Sequence, residues 1–176
     1  MTPGTGPTTS PADLRIRRAN EDDSEGIVEI WRTIAAERIY SAVDQPWTVE
    51  QQRAYLSSLS PREAVHAAID GSGSIAGFQS LDLWAASIRS MMHVAQLGTF
   101  VLPDWRGRGV GAALFEATRA FARECAYAKF VAQVRASNRS AHAFYHRLGF
   151  HACGRLTRQV RIDGLEDDEI LMEFFL

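Results

Sequence analysis

The chain has 176 residues, 46% of them hydrophobic and 23% charged, which suffices for one core and leaves little for a second domain. A formal net charge of −2 argues against wholesale nucleic-acid binding. Cys125 and Cys153 fit neither a C-x-x-C redox pair nor a zinc-ligand pattern, and no apolar run is long enough to span a bilayer. The expectation is a soluble cytoplasmic protein with free thiols, no metal and no membrane contact.

Residues 1–13, rich in Thr, Pro and Gly, read as a flexible N-terminal tail, and residues 14–176 as a single domain. Leu14 to Ile16 reads as a first strand. Asn20 can cap a helix whose apolar stripe is Ile27, Ile30, Trp31 and Ile34. Thr48 and Gln51 form a capping-box pattern for a second helix carrying Tyr55, Leu56 and Leu59. Ala64 to Ile69 and Ser74 to Leu83 read as strands joined by the turn Asp70-Gly-Ser-Gly73. His93 to Leu102 is the next strand, ended by Pro103. A helix follows from Val110 to about Glu124, then a strand from Lys129 to Arg135. A helix from Arg139 to Leu148, closed by Gly149, leads into strands from about His151 to Val160 and Asp168 to Phe175. The order is mixed α/β.

The stretch Gly98-Thr-Phe-Val-Leu-Pro-Asp-Trp-Arg-Gly-Arg-Gly-Val-Gly-Ala-Ala-Leu-Phe115 runs a strand through a basic, glycine-rich turn into a helix. Gly107, Gly109 and Gly111 permit positive φ and close approach of a ligand to the backbone. The helix start near Val110 offers unpaired N–H groups and the positive end of its dipole, a site suited to phosphate or pyrophosphate. Arg106 and Arg108 add charge. The residues alone leave open an exposed basic turn and a dinucleotide site. Gly107, Gly109 and Ala112 fit G-x-G-x-x-G/A, but the acidic residue that this pattern requires about 20 positions later is missing. From Cys125 to Ile162 there is no Asp or Glu at all, against Lys129 and six arginines.

Arg106-Gly-Arg-Gly109-Val-Gly111 resembles the Q/R-x-x-G-x-G/A element with which GNAT superfamily N-acetyltransferases hold the pyrophosphate of acetyl-coenzyme A. Asn138-Arg-Ser-Ala141-His-Ala-Phe144-Tyr145-His-Arg-Leu148-Gly149-Phe150 resembles the N-x-x-A-x-x-x-Y-x-x-x-G-F segment of the same superfamily. The resemblance runs from about Arg15 to the C-terminus and is specific from Leu97 to Phe150. It implies the GNAT fold, a mixed, mostly antiparallel sheet splayed between its fourth and fifth strands, with helices on both faces. It implies acetyl-coenzyme A as acyl donor and direct attack by a primary amine. The pantetheine arm would pair with Phe100 and Val101 as an added strand. Pyrophosphate would sit on the amides of Arg108, Gly109, Val110, Gly111 and Ala112, with Gly107 shaping the turn and Arg106 alongside.

Within that resemblance, a backbone N–H at Phe100 or Val101 donates to the oxyanion. Tyr145 protonates the departing sulfur, although with Ala141, Phe144 and Leu148 it also lies on one helical face suited to a core. Asn138 either caps its helix or contacts the coenzyme. Glu37 and His93 are the candidates for the general base, a water chain being the alternative.

The acceptor is expected among Glu37 to Trp47, Trp84 to Met92 and Leu156 to Asp168. Tyr40, Trp47, Trp84 and Met92 supply apolar surface there, and Asp44 and Asp82 supply negative charge. The Asp163-Gly164 turn and Asp168 resemble the ends of phosphinothricin and amino-acid acyltransferases, which implies a small amine or amino acid. Protein amines as acceptor, and a catalytically silent acyl-coenzyme A sensor, are the alternatives. Dimerisation is common in the family, and no segment identifies an interface.

Overall fold

The computed structural model describes residues 14–176, and the expected N-terminal tail lies outside them. The elements are β1 (Arg15–Arg18), α1 (Ser24–Ala36), α2 (Val49–Ser58), β2 (Ala64–Ile69), β3 (Ile75–Leu83), β4 (Val94–Val101), α3 (Val110–Glu124), β5 (Lys129–Arg135), α4 (Arg139–Arg147), β6 (His151–Ile162) and β7 (Leu165–Phe175). Asn20 does cap, but it caps a single 3-10 turn at Glu21–Asp23, and the α-helix starts only at Ser24. The cause is reciprocal bonding across that turn. Asn20 Oδ1 accepts from the Asp22 N–H (2.9 Å) and Asp23 Oδ2 from the Asn20 N–H (2.8 Å), while Arg17 grips Asp23 with two bonds of 2.7 Å. Thr48 and Gln51 form the reciprocal box at the start of α2.

The last hairpin is longer than its hydrophobic pattern suggests. Asp163 and Gly164 both have positive φ (51° and 78°), a two-residue turn whose twist matches the strands it joins, so pairing continues up to Ile162 and Leu165.

Seven strands form one sheet in the order β1-β2-β3-β4-β5-β7-β6. Every neighbouring pair is antiparallel except β4–β5. That parallel pair is short, running from Val94↔Lys129 to Leu97↔Ala132. Beyond it β4 stays paired with β3 as far as Gly77↔Val101, and β5 stays paired with β7 as far as Arg135↔Glu169. The two strands part while each remains anchored on its outer side.

Helices cover both faces. On one, α1 sets Ile27, Ile30 and Ile34 against Val65 and Phe78. On the other, Phe115 from α3 meets Phe130, Phe150 and Phe174 at centroid distances of 6.1, 5.8 and 5.5 Å. Because β2 lies between α1 and α3, all six of its residues are buried, His66 included. Among the described residues no helix is long and apolar enough to cross a membrane.

His66 is 5% exposed, with Nδ1 3.0 Å from Thr118 Oγ1 on α3 and its ring edge-on to Phe121. Burial, reinforced by the nearby Arg18 charge, pushes its pKa down to about 4. In the unfolded chain a histidine protonates near 6.5, so stability is full above that pH and falls as pH drops from about 6.5 to about 4. The expected cost is about 3 kcal/mol, read as the change in urea-unfolding free energy between pH 7 and pH 4. His66→Gln should lose that part of the slope, and an unchanged slope would exclude His66 as its source.

Candidate active site

The parting of β4 from β5 opens a cavity of about 560 Å³. Its walls are Thr99 to Val101 of β4, Arg106, Gly107 and Gly109 to Ala112 of the turn, and Asn138, Ser140, Ala141, Phe144, Tyr145, Arg147 and Leu148 at the start and along the inner face of α4. Tyr40 and Ile34 reach it from the α1 side. Among these lining residues there is no carboxylate and no histidine.

The alternation of antiparallel pairing decides which backbone groups face the gap. Trp84 N–H donates to the Val94 carbonyl (3.2 Å) and Leu102 N–H to the Ala76 carbonyl (3.0 Å), so the even-numbered residues of β4 bond to β3. Phe100 therefore uses its amide and carbonyl on β3, and the groups that look into the gap are those of Thr99 and Val101. This corrects the expectation for Phe100 by one residue. The Phe100 ring packs on the α1 side instead, 4.2 Å from Trp31 and 5.0 Å from Phe78.

At the cavity's other end the glycines have distinct tasks. Gly107 and Gly109 hold φ of 71° and 84° with open space where a Cβ would stand, so backbone conformation is what selects them. Gly111 sits inside α3, where a Cβ would lie 2.8 Å from the Phe144 ring, so it is selected by the close approach of α4. The α3 hydrogen-bond ladder begins with Ala113 N–H to Gly109 O. The N–H groups of Val110, Gly111 and Ala112 precede it, with no side-chain cap and no acidic residue in the first turn. Such a helix start favours an anion.

Arg106 lines the cavity, but its guanidinium already has partners. It makes two bonds to Glu37 (2.8 and 2.5 Å), donates from Nε to the Val101 carbonyl (3.0 Å), and lies 4.2 Å over the Tyr40 ring. Arg108 is not part of the lining, and its guanidinium lies 5.6 Å over the ring of Trp105, which is part of it.

Tyr145 is both a core residue and a wall of the cavity. Its ring is in the core, 5.0 Å from both Phe144 and Phe150, while its hydroxyl stands 3.0 Å from Thr99 Oγ1 at the edge of the gap. Burial pushes its pKa up to about 12, so it carries its proton at any physiological pH. Asn138 caps α4: Oδ1 accepts from the Ala141 N–H (3.0 Å) and Ser140 Oγ (2.9 Å), and Nδ2 donates to the Tyr40 carbonyl (3.2 Å).

The other expectations fare differently. His93 is exposed at the start of β4, and at about 3.4 Å per residue it lies roughly 20 Å along the strand from Thr99. It is not brought to the cavity. Trp84 and Met92 belong to the connection at that same remote end of β3 and β4. Glu37 is held in its ion pair with Arg106 outside the lining. Asp82 accepts from the Tyr55 hydroxyl (2.6 Å), Trp47 packs edge-on against Tyr55, and Asp44 is exposed in the α1–α2 connection.

Three residues to which the sequence reading gave no role belong to the site's framework. Thr99 faces the gap, and Gln79 on β3 donates from Nε2 to its hydroxyl (2.7 Å). The available signal was strand parity, since alternation places Thr99 opposite in sense to Phe100. Arg135 is a third such residue: it donates to the carbonyls of Arg38 (2.6 Å) and Ser41 (3.3 Å) and pairs with Asp167 (2.9 Å), tying the α1–α2 connection to the end of β5.

Comparison with known proteins agrees with this geometry. The chain is 22% identical, over 155 residues, to a Bacillus subtilis (strain 168) protein with the provisional name phosphinothricin acetyltransferase YwnH, covering 88% of this chain and 94% of that one. The fold matches that of a GNAT superfamily phosphinothricin acetyltransferase from Sinorhizobium meliloti, solved in complex with AcCoA, at a TM-score of 0.85 and 19% identity, over 93% of this chain and 89% of that one. It matches a ribosomal-protein-alanine N-acetyltransferase from Brucella melitensis at 0.84 and 22%, over 92% and 99%. The model of the Acetyltransferase (GNAT) family matches residues 27–150, a span that takes in the parted strands, the glycine turn and Tyr145, and the chain belongs to that family.

Proposed function

We propose that this protein transfers an acetyl group from acetyl-coenzyme A to the primary amine of a small molecule or amino acid, by direct attack with both substrates bound. The observation that carries the reading is the alignment of three features along one cavity: the open backbone edge of Thr99 and Val101, the Tyr145 hydroxyl beside Thr99, and the uncapped start of α3.

The residues present fit the coenzyme. Pyrophosphate finds unpaired N–H donors at Val110, Gly111 and Ala112, extended by those of Arg108 and Gly109, and needs no basic side chain to approach closely. Arg106 acts mainly as a brace, its charge balanced by Glu37. The Thr99 and Val101 edge offers the amides of the pantetheine arm a strand to pair with. Asn138 shapes the far wall while holding α4 and Tyr40 in place.

The bound coenzyme supplies an acetyl thioester. An N–H of the open edge donates to the carbonyl oxygen as negative charge develops there, a contact typically worth about 3 kcal/mol in the transition state. Tyr145 gives its proton to the sulfur as the carbon–sulfur bond breaks and regains one from solvent. The amine's proton passes to water, since the lining holds no carboxylate or histidine to take it. Glu37 holds Arg106 against the cavity and does not act as the base.

Thermal unfolding tests the binding half of the proposal. Acetyl-coenzyme A at 100 times its dissociation constant should stabilise the protein by about 2.7 kcal/mol, and NAD at equal concentration should not. A shift with NAD alone would restore the dinucleotide reading. Gly109→Ala forces an alanine to positive φ at a cost of about 1–3 kcal/mol, so it should lower the melting temperature and weaken the acetyl-coenzyme A shift. A variant that bound normally would remove the cradle.

Turnover with a panel of small amines, amino acids and peptide N-termini tests the chemistry. Tyr145→Phe should reduce kcat by about 10²-fold or more while leaving coenzyme binding nearly intact. Full turnover in that variant would end the acid role of Tyr145, and preference for peptides would move the acceptor to protein amines.

A further inference from the structure

We infer that Gln79, a fully buried residue of β3 outside the cavity lining, fixes the direction in which the Tyr145 proton points by acting through the hydroxyl of Thr99. The inference rests on the acid role proposed for Tyr145.

The argument follows from counting donors. A threonine hydroxyl has one proton and two lone pairs. Gln79 Nε2 donates to Thr99 Oγ1 at 2.7 Å and occupies one lone pair, so the threonine proton must point elsewhere. The polar side-chain partner on its other side is Tyr145 Oη at 3.0 Å. If Thr99 donates to Tyr145, the phenol oxygen is an acceptor in that bond and its own proton is free to face the gap. If Thr99 instead accepted from Tyr145, the acid's proton would be turned away from the sulfur.

The orientation of the Gln79 amide is what selects the productive arrangement. Gln79 is 0% exposed and its Oε1 has no hydrogen-bond partner. Reversing the amide would aim Oε1 at Thr99 and take the threonine proton, so that Thr99 could only accept from Tyr145. The observed orientation keeps that proton free to be donated to Tyr145. The same bond strengthens as charge grows on the phenol oxygen, since bonds to charged groups are the stronger kind. Thr99 thus offsets part of the penalty that burial imposes on ionising Tyr145, and the hydrogen bond acts on the pKa in that direction. Gln79 and Thr99 are positioning residues, and Tyr145 alone meets the leaving group.

The test combines Gln79→Met, which keeps volume and removes the donor, with Thr99→Val, which removes the link. Each should lower kcat by about tenfold to a hundredfold, with the acetyl-coenzyme A KM and thermal shift unchanged. In a Tyr145→Phe background neither should lower kcat further, and the two together should cost no more than one. Equal losses in both backgrounds, a rise in KM in place of the kcat loss, or wild-type kcat would overturn the inference. Should Gln79→Met not fold, Thr99→Val decides alone by the same comparison. If Tyr145→Phe itself keeps full turnover, the acid role fails, and a kcat loss in Gln79→Met would then belong to some other route.

Discussion

Two strands that part while each keeps its outer partner create the cavity on which the rest of the candidate site is built. After Leu97 and Ala132, β4 remains bound to β3 and β5 to β7, so the gap interrupts only the inner pairing, which ends there. The backbone groups of Thr99 and Val101 then lack a strand partner, a condition that buried peptide groups do not tolerate without a substitute. One substitute is visible: the Val101 carbonyl accepts from Arg106. A ligand rich in amides is the natural substitute for the rest.

Side chains from distant parts of the chain hold the gap's roof. Glu37, at the end of α1, is clasped by Arg106 from the glycine turn, Tyr40 is held by Asn138, and Arg38 by Arg135 and Asp163. The segment that the sequence marks as the acceptor region is thus tied to β5, to the start of α4 and to the last hairpin at once. Arg106 links the two halves of the site directly, since it touches both the roof and the open edge. Its proximity to the glycine turn serves support as much as charge.

Burial also sets the acid–base character of the site. Tyr145 is pressed among Phe144 and Phe150, which raises its pKa and keeps it protonated, while its hydroxyl bonds to Thr99, which Gln79 holds from behind. Packing and chemistry are the same contact seen from two sides: the ring fills the core between α4 and the sheet, and the oxygen emerges where the sheet has opened.

Much of this was legible in the chain itself. The glycine turn, the helix it opens, the capping boxes and the order of strands are local matters, settled by positive φ, missing Cβ atoms, side-chain caps and hydrophobic period. The two motifs carried the family and the placement of Tyr145 and Asn138. Tertiary structure alone decided the rest. Phe100 gave way to Thr99 because hydrogen-bond parity depends on how β4 registers with β3. His93 fell out of reach because it sits at the wrong end of an extended strand, and Glu37 because Arg106, 69 residues away, holds it. Gln79 has no sequence signal toward a tyrosine on α4; the sheet brings them to one hydroxyl. Local stereochemistry is written in neighbouring residues, whereas the partner of a charge or a proton is set by which distant elements the folded core brings together.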